Sequence, residues 1–476
     1  MKIARYTASV LLLLITGYVK AQPSGAGDPW TLEACLEFAL ENNEQIKIAE
    51  ASQKIADARV GQTRAQGLPQ VNGGMNYTFN PAIQQQVVQD FLSPAVGGVL
   101  LGLGEISPQQ FGAIQAGADT TFFGLGFGTR HSALASVQVS QLLFDGSYFV
   151  GLRAARTYRE LAAYEANRSR ETVVENVTKA YYGVLVNEER LALLDRNVGR
   201  LDSLLKETEA MLEQGFVEKV DVSRLRVNRN NLRTEYEKLR SLIAVSYDLL
   251  KFQMGLPIEE PLRLESSLAT LAVDDMQDTP DSVSYANRLD YAINQVNQEL
   301  AELDLKNVQA GYLPSLRASA NFGVNGGAER LFPNDTVPGL VNSEWFGFAS
   351  VGLSLSIPIF DGLLKRNQAQ EKRLQQEQLR QQERLLENSI ALELKQSRTN
   401  LANALATLES QRENMELAQE VFDVVTRKYQ AGVGSNLEVI EADTSLKEAQ
   451  TNYYAAVYDA LIAQVDLQKA LGLLNY

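Results

Sequence analysis

Cysteine and histidine are nearly missing from this chain: each occurs once in 476 residues, as Cys35 and His131. A single thiol forms no intrachain disulfide, so Cys35 is read as a small buried hydrophobe. His131 follows Arg130 at the edge of a loop, which suits a surface residue and sets aside a multi-histidine metal site or a histidine-based triad. Basic residues are also short. Lys and Arg number 44 against 58 Asp and Glu, a formal charge of −14 that argues against nucleic acid as a partner. No window reaches the ~20 apolar residues that a membrane-spanning helix requires. No Pro/Gly/Ser-rich linker divides the middle of the chain, and GLGFG at Gly124–Gly128 does not open a helix after a strand, so it is no dinucleotide loop. No catalytic group, metal or cofactor is expected.

What is present begins with Lys2 and Arg5, an apolar run Val10–Ile15 that continues weakly to Val19, and the small-residue cleavage pattern Val19-Lys20-Ala21. Residues 1–21 read as a signal peptide. Its removal takes Lys2, Arg5 and Lys20 but no acid, deepening the formal charge from −14 to −17. Export then places the chain in an oxidising compartment without a staple. A lipid anchor is not expected, because the one cysteine lies well past the cleavage site rather than directly after it.

The chain reads as an internal duplication. MLEQGFVEKVDVSRL at Met211–Leu225 and YQAGVGSNLEVIEAD at Tyr429–Asp443 align with Gly215 on Gly432, an offset of 217 residues. The same offset superposes Asp221 on Glu438, Val222 on Val439, Tyr236 on Tyr453 and Gly255 on Gly472. The first repeat is expected over 22–254, with an opening helix, a β-hairpin at 68–144, a long helix, a tip at 212–221 and a return helix. The second is expected over 285–476, with its hairpin at 313–360 and its tip at 429–438. Residues 255–284 form the crossover, and Leu256–Thr279 a strap around the middle.

Thr31–Gln66 reads as one helix that stops at Gly67-Leu68-Pro69, since proline pushes the preceding residue out of the helical region. The period then changes to two: Val71, Gly73, Met75, Tyr77 and Phe79 alternate with polar and small residues. Leu316, Ala318, Ala320, Phe322 and Val324 do the same after Tyr312-Leu313-Pro314. Returning strands follow around Val137–Val139 and Val351–Ile357, each ending in a similar tail, LLFDG and PIFDG. Four strands of ~10 residues match transmembrane β-strands in length and pattern; two soluble hairpins on a core would carry the same pattern. Pro69 lies 75 residues before Phe144, whereas Pro314 lies only 46 before Phe360. The extra residues fall in the loop from Asn80 to about Ser132, which suits a solvent-exposed end.

From Ser147 to Glu213 there is no proline and no turn cluster, and Leu191, Leu194, Val198, Leu201 and Leu205 fall at alternating steps of three and four. That is a heptad seam. In the second half Leu394, Leu401, Leu408, Met415, Phe422 and Tyr429 recur every seventh residue, as do Val439, Leu446, Tyr453, Ala460, Leu467 and Leu474. A helix of this length runs roughly 100 Å at about 1.5 Å per residue, which no compact domain accommodates. The return helices, about Asp221–Met254 and Glu438–Leu474, are half as long. Each half thus needs a second short helix, Thr31–Gln66 or Tyr285–Ala310, to complete the opposite side. A four-stranded sheet in lipid cannot satisfy its own edges, so strands of several subunits must close one barrel. Two copies give eight strands and a filled interior; three give twelve and a lumen, and three is the expectation.

With these elements in order, the chain resembles the TolC-type outer-membrane efflux family over essentially its whole mature length. The resemblance rests on GLPQV and YLPSL before the hairpins, QLLFDG and IPIFDG after them, and KYQAGVGSNLEVIEADTSLKEAQ followed by LQKALGLL. It implies a mixed α and β fold: a long antiparallel coiled-coil α-helical barrel plus a transmembrane β-barrel with four strands per subunit, in a homotrimer. The implied place is the outer membrane of a Gram-negative bacterium, with helices projecting into the periplasm. The implied role is an exit duct, without chemistry of its own, that meets a periplasmic adaptor protein and, through it, an inner-membrane pump. A non-transporting coiled-coil envelope protein or adhesin is the alternative.

By the same resemblance Glu438 and Glu441 match two acidic positions that ring the periplasmic entrance, while Asp221 and Tyr429 match positions of an interhelical latch. Residues three apart share a helix face, so three subunits would place up to six carboxylates around the pore. Such a ring favours cations. Gly215, Phe216, Gly432 and Val433 fall in the turns presented to adaptor tips. Where some members carry an arginine two residues after the tip glycine, this chain has Gly434, so an arginine bridge to Asp221 is ruled out.

Overall fold

The computed structural model describes residues 29–119, 121–126, 128–265, 284–328 and 344–474. The signal peptide reading, most of the crossover and much of the second hairpin's loop lie outside them. The chain divides into two compact units. One draws on the described residues of Ala58–Arg156 and Ala301–Leu374, the other on those of Met1–Asp57, Thr157–Leu300 and Gln375–Tyr476.

The first of these units carries an antiparallel sheet of β1 (Gln70–Phe79), β4 (His131–Phe144), β5 (Ser315–Ala328) and β6 (Glu344–Ser356), in that spatial order. Its register puts Val71, Val139, Ala320 and Val351 in one row and Gly73, Val137, Phe322 and Ala349 in the next row of that face. The intervening row, Asn72, Gln138, Asn321 and Ser350, points to the opposite face. In these rows one face is apolar and the other polar across all four strands; toward the loop end Leu134, Phe346 and Phe348 also fall on the otherwise polar face. Met75, Val351 and Leu353 remain 72, 80 and 71% exposed, so the apolar face is bare in the single chain. Among the described residues β1 and β6 are each paired on one side only, leaving two open edges.

The long first loop holds more structure than its apolar stretches suggest. The short strands β2 (Gln85–Gln89) and β3 (Phe122–Gly126) pair with each other, and between them lie helices α3 (Leu92–Gly102) and α4 (Pro108–Ala118). Ser107 caps α4 and Gln110 returns a bond to the Ser107 amide, with Pro108 at the first helical position. Glycine-rich sequence hides such helices from propensity reasoning, because glycine is a poor helix former. His131 is the first residue of β4 rather than part of the loop. Its Nδ1 lies 2.8 Å from the Tyr77 hydroxyl and its ring stacks on Phe79.

The helical unit is built on the greater part of α5 (Gly146–Glu213) and α8 (Leu364–Gln430), whose first turns belong to the sheet unit, on α6 (Lys219–Met254) and α9 (Asn436–Ala470), on the first half of α7 (Leu289–Ala310) and on most of two shorter helices at the start of the chain. The expectation of one helix over Thr31–Gln66 needs correction. The chain forms α1 (Leu32–Asn42) and α2 (Glu44–Ala65), broken at Asn43, whose backbone is extended. The Asn43 side chain accepts from the Gln45 amide and donates to the Gln253 carbonyl at 2.6 Å, so a buried side chain replaces a helical backbone bond. Gly255, with φ 75°, closes against this break: a Cβ there would lie 2.8 Å from the Asn42 carbonyl oxygen. Cys35 lies fully buried in the cluster formed with Val177, Tyr181, Leu250 and Met254, and burial pushes its thiol up to about 12.

On α8, Leu394, Leu401, Phe422 and Tyr429 are buried and Leu408 and Met415 half-buried, so the seven-residue repeat lies on the packed side. Among the described residues no helix is long and apolar enough to cross a membrane.

Candidate functional site

Of the two turns, from α5 to α6 and from α8 to α9, the first holds Gly215 and Phe216 and the second Gly432 and Val433, and the helices they join carry Asp221, Tyr429, Glu438 and Glu441 near these ends. Both are built on a glycine in the left-handed region, Gly215 at φ 77° and Gly432 at φ 75°, with open space where a Cβ would go. In each, the next amide reaches back to close the helix end: Phe216 donates to the Met211 carbonyl and Val433 to the Lys428 carbonyl. Phe216 and Val433 both stand 79% exposed, apolar side chains held out in water by the turn.

Below the turns the four helices close on one apolar cluster. Leu201, Leu204 and Leu205 come from α5, Val222 and Leu225 from α6, Phe422 and Tyr429 from α8, and Val439, Ala442 and Leu446 from α9. Tyr429 is buried here, and its hydroxyl donates to Thr208 Oγ1 at 3.3 Å. Burial raises the Tyr429 phenol above its ordinary value, the Thr208 bond pulls it back, and the charge of Asp221 raises it again. Tyr429 and Asp221, the two positions expected to form a latch, thus lie close enough for the charge of one to act on the other. The Asp221 carboxylate is engaged at its own helix start, where Oδ2 accepts from the Glu218 amide at 3.2 Å.

Glu438 occupies the corresponding place on α9 but is left free. The cap is supplied by Ser435, whose Oγ accepts from the Glu438 amide at 3.2 Å. The Glu438 and Glu441 side chains are exposed, and among the described residues neither carboxylate has a hydrogen-bond or ion-pair partner. Gly434 is confined sterically. Its amide donates to the Lys428 carbonyl, and a Cβ would stand 2.9 Å from the Tyr429 nitrogen. No larger residue fits there without moving the end of α8.

Sequence reasoning missed the polar members of this packing. Asp443 is buried; its Oδ1 accepts from Arg200 Nη2 at 3.2 Å and its Oδ2 from Asn228 Nδ2 at 3.0 Å. The Arg200 guanidinium lies over the Phe422 ring, 4.3 Å from its centroid. Beside this pair the buried Asn197, three residues before Arg200, donates to Oε1 of Gln450, seven residues after Asp443, at 2.8 Å. A signal was available: Asp443 lies four residues after Val439 and three before Leu446, which are seam positions, and a carboxylate at such spacing demands a partner.

Comparison with known proteins bears on these features together. A family model described as outer membrane efflux protein matches residues 35–255 and 282–473. Outer membrane protein TolC of Escherichia coli (strain K12) is 23% identical over 363 residues, spanning 72% of this chain and 69% of that protein. The pyoverdine export outer membrane protein OpmQ of Pseudomonas aeruginosa is 22% identical over 442 residues, spanning 93% and 85%. Among solved structures, the Campylobacter jejuni CmeC outer membrane channel superposes with a TM-score of 0.70 at 15% identity, covering 93% of this chain and 85% of that one. At that identity the likeness is one of fold.

Proposed function

The chain belongs to the outer membrane efflux protein family, and from that premise we propose that three copies of it close a twelve-stranded barrel continued by a helical tunnel with a gate at the tips. It is an outer-membrane protein of TolC-like fold, and its role is that of an exit duct. Neither the family match nor the relatives support a non-transporting envelope protein or adhesin. In this reading 1–21 is removed on export, 22–254 and 285–476 are two structural repeats, and 255–284 joins them.

The observation that supports the reading is the four-stranded sheet with one bare apolar face, one largely polar face and, among the described residues, two open edges. In lipid each unpaired backbone group costs several kcal/mol, so those edges must meet edges of other subunits. An apolar exterior and a polar lumen then follow from the period of two. The trimer is favoured because twelve strands leave a lumen, whereas eight fill theirs with side chains.

At the tips, in this reading, Glu438 and Glu441 line the entrance and Asp221 and Tyr429 hold the turns together. Exposure and lack of partners support the first assignment, and burial and engagement the second. Phe216 and Val433, held out by Gly215 and Gly432, give a periplasmic adaptor two apolar handles per subunit, with an inner-membrane pump behind it. Planar-bilayer recording of the purified protein tests this. Wild type is expected to conduct with a preference for cations, and millimolar trivalent cations to reduce the current. The Glu438→Ala/Glu441→Ala double variant should lose both properties. A folded, inserted protein that opens no pore would sink the duct reading, and equal block of both proteins would remove the two glutamates from the entrance.

A further inference from the structure

The buried ion pair between Arg200 and Asp443 joins four helices at one point. Arg200 is on α5, Asn228 on α6, Phe422 on α8 and Asp443 on α9. The Asp443 side chain is 5% exposed and the Arg200 side chain 28%, so the carboxylate depends on these neighbours for nearly all of its solvation. Both carboxylate oxygens are used, one by each helix of the α5–α6 pair. Any displacement of α9 from that pair must therefore break two bonds to a charge that water cannot immediately replace.

The pair is not inherited from the duplication. The residue 217 positions before Asp443 is Arg226, an exposed residue that bonds Glu209 on the surface, and the residue 217 positions after Arg200 is Leu417, which is exposed. Only the α9 copy sends a carboxylate inward at this level. The seat is also incomplete. Arg200 Nε is buried and has no hydrogen-bond partner, so the guanidinium does not reach the bidentate arrangement that makes such pairs strongest. A tie that is buried but under-satisfied is suited to release.

We propose that Arg200 and Asp443, with Asn228 and the Phe422 ring, form the clasp that holds α9 against α5 and α6 and sets how readily the tip opens. This rests on the reading of the chain as a tip-gated duct. It places the restraint one level below the turns, which suits a chain whose Gly434 has no room for the side chain of a latch at the turn itself. Arg200 and Asp443 are positioning residues here: they act on the entrance through the helices that carry Glu438 and Glu441.

The test is single-channel recording of the full-length protein in planar bilayers, beside its thermal midpoint. Asp443→Ala should raise resting conductance several-fold. Arg200→Lys, which keeps the charge but loses the planar contact with Phe422, should give an intermediate rise. The control is Glu175→Gln. Glu175, on the same helix as Arg200 but 25 residues away, roughly 37 Å at about 1.5 Å per residue, pairs with Lys179 on that helix and with Lys469 on α9. That variant should lower the midpoint and leave conductance at the wild-type level. If Asp443→Ala assembles and conducts like wild type, the clasp is overturned. If it does not assemble, Asn228→Ala takes its place, and wild-type conductance there is equally fatal. A wild type without any pore overturns the duct reading first, and the clasp with it.

Discussion

The two turns share a backbone plan and differ in what they do with their acids. In the first, Asp221 binds its own helix start through the Glu218 amide; in the second, Ser435 does the capping and Glu438 is left free. The second turn also wraps further. Gly434, where the first turn has the half-buried Val217, adds a bond to the Lys428 carbonyl that already receives Val433. A duplicated element has thus diverged into one turn whose acid is structural and one whose acids are available, and the available pair lies on a single helix face.

Substitutions that break this comparison should rank by how much packing they disturb. The largest effect is expected for Gly434→Ala, whose Cβ would meet the Tyr429 backbone at 2.9 Å. Overpacking of this kind costs about 1–3 kcal/mol, read as a lowered thermal midpoint of the tip by hydrogen exchange at α8 and α9. Val217→Gly should not produce a matching gain. An unchanged midpoint in Gly434→Ala would mean that the second turn is as roomy as the first.

Next come the caps. Ser435→Ala and Asp221→Ala should each lose about 1 kcal/mol of local stability, while Glu438→Ala loses less because its side chain caps nothing. Denaturant midpoints of the three variants make the comparison, and an equal loss at Glu438 would erase the distinction between the turns.

The smallest effect is expected for Tyr429→Phe, which removes one hydrogen bond to Thr208 that is long at 3.3 Å and so worth about 0.5 kcal/mol. Its sharper mark is in pH. Burial raises the Tyr429 phenol in the folded protein, so its contribution is fully present below the unfolded tyrosine value of about 10 and lost as pH rises through the folded one. Wild type should therefore lose more stability between neutral and strongly alkaline pH than Tyr429→Phe does. Equal slopes would place Tyr429 in water.

Much of the architecture was legible because it repeats on fixed periods. The alternation in Val71–Phe79 and Leu316–Val324 gave the strands, and the seven-residue spacing of Leu394 to Tyr429 gave the packed side of α8. What escaped has a common cause, namely side chains that act against their local period. Asn43 breaks a helix whose residues otherwise favour one, and does so through a bond to Gln253, 210 residues away. Asn197, Thr208, Asp443 and Gln450 are polar residues at packed positions, and their partners lie on other helices. The helices α3 and α4 rest on a capping box and on the close approach of Gly97 to Phe111, which no apolar count reveals. Near the second turn, Glu438 and Glu441 were visible as acids, whereas the freedom of Glu438 from capping depends on Ser435.

The open edges of β1 and β6 carry a consequence for how the molecule is made. A lone subunit offers two rows of unpaired backbone groups and a bare apolar face, the features that drive strands of separate chains to stick together in water. In the proposed trimer, completing the sheet and finding partner subunits would be a single event rather than two in succession. The yield of such an assembly should depend on protein concentration.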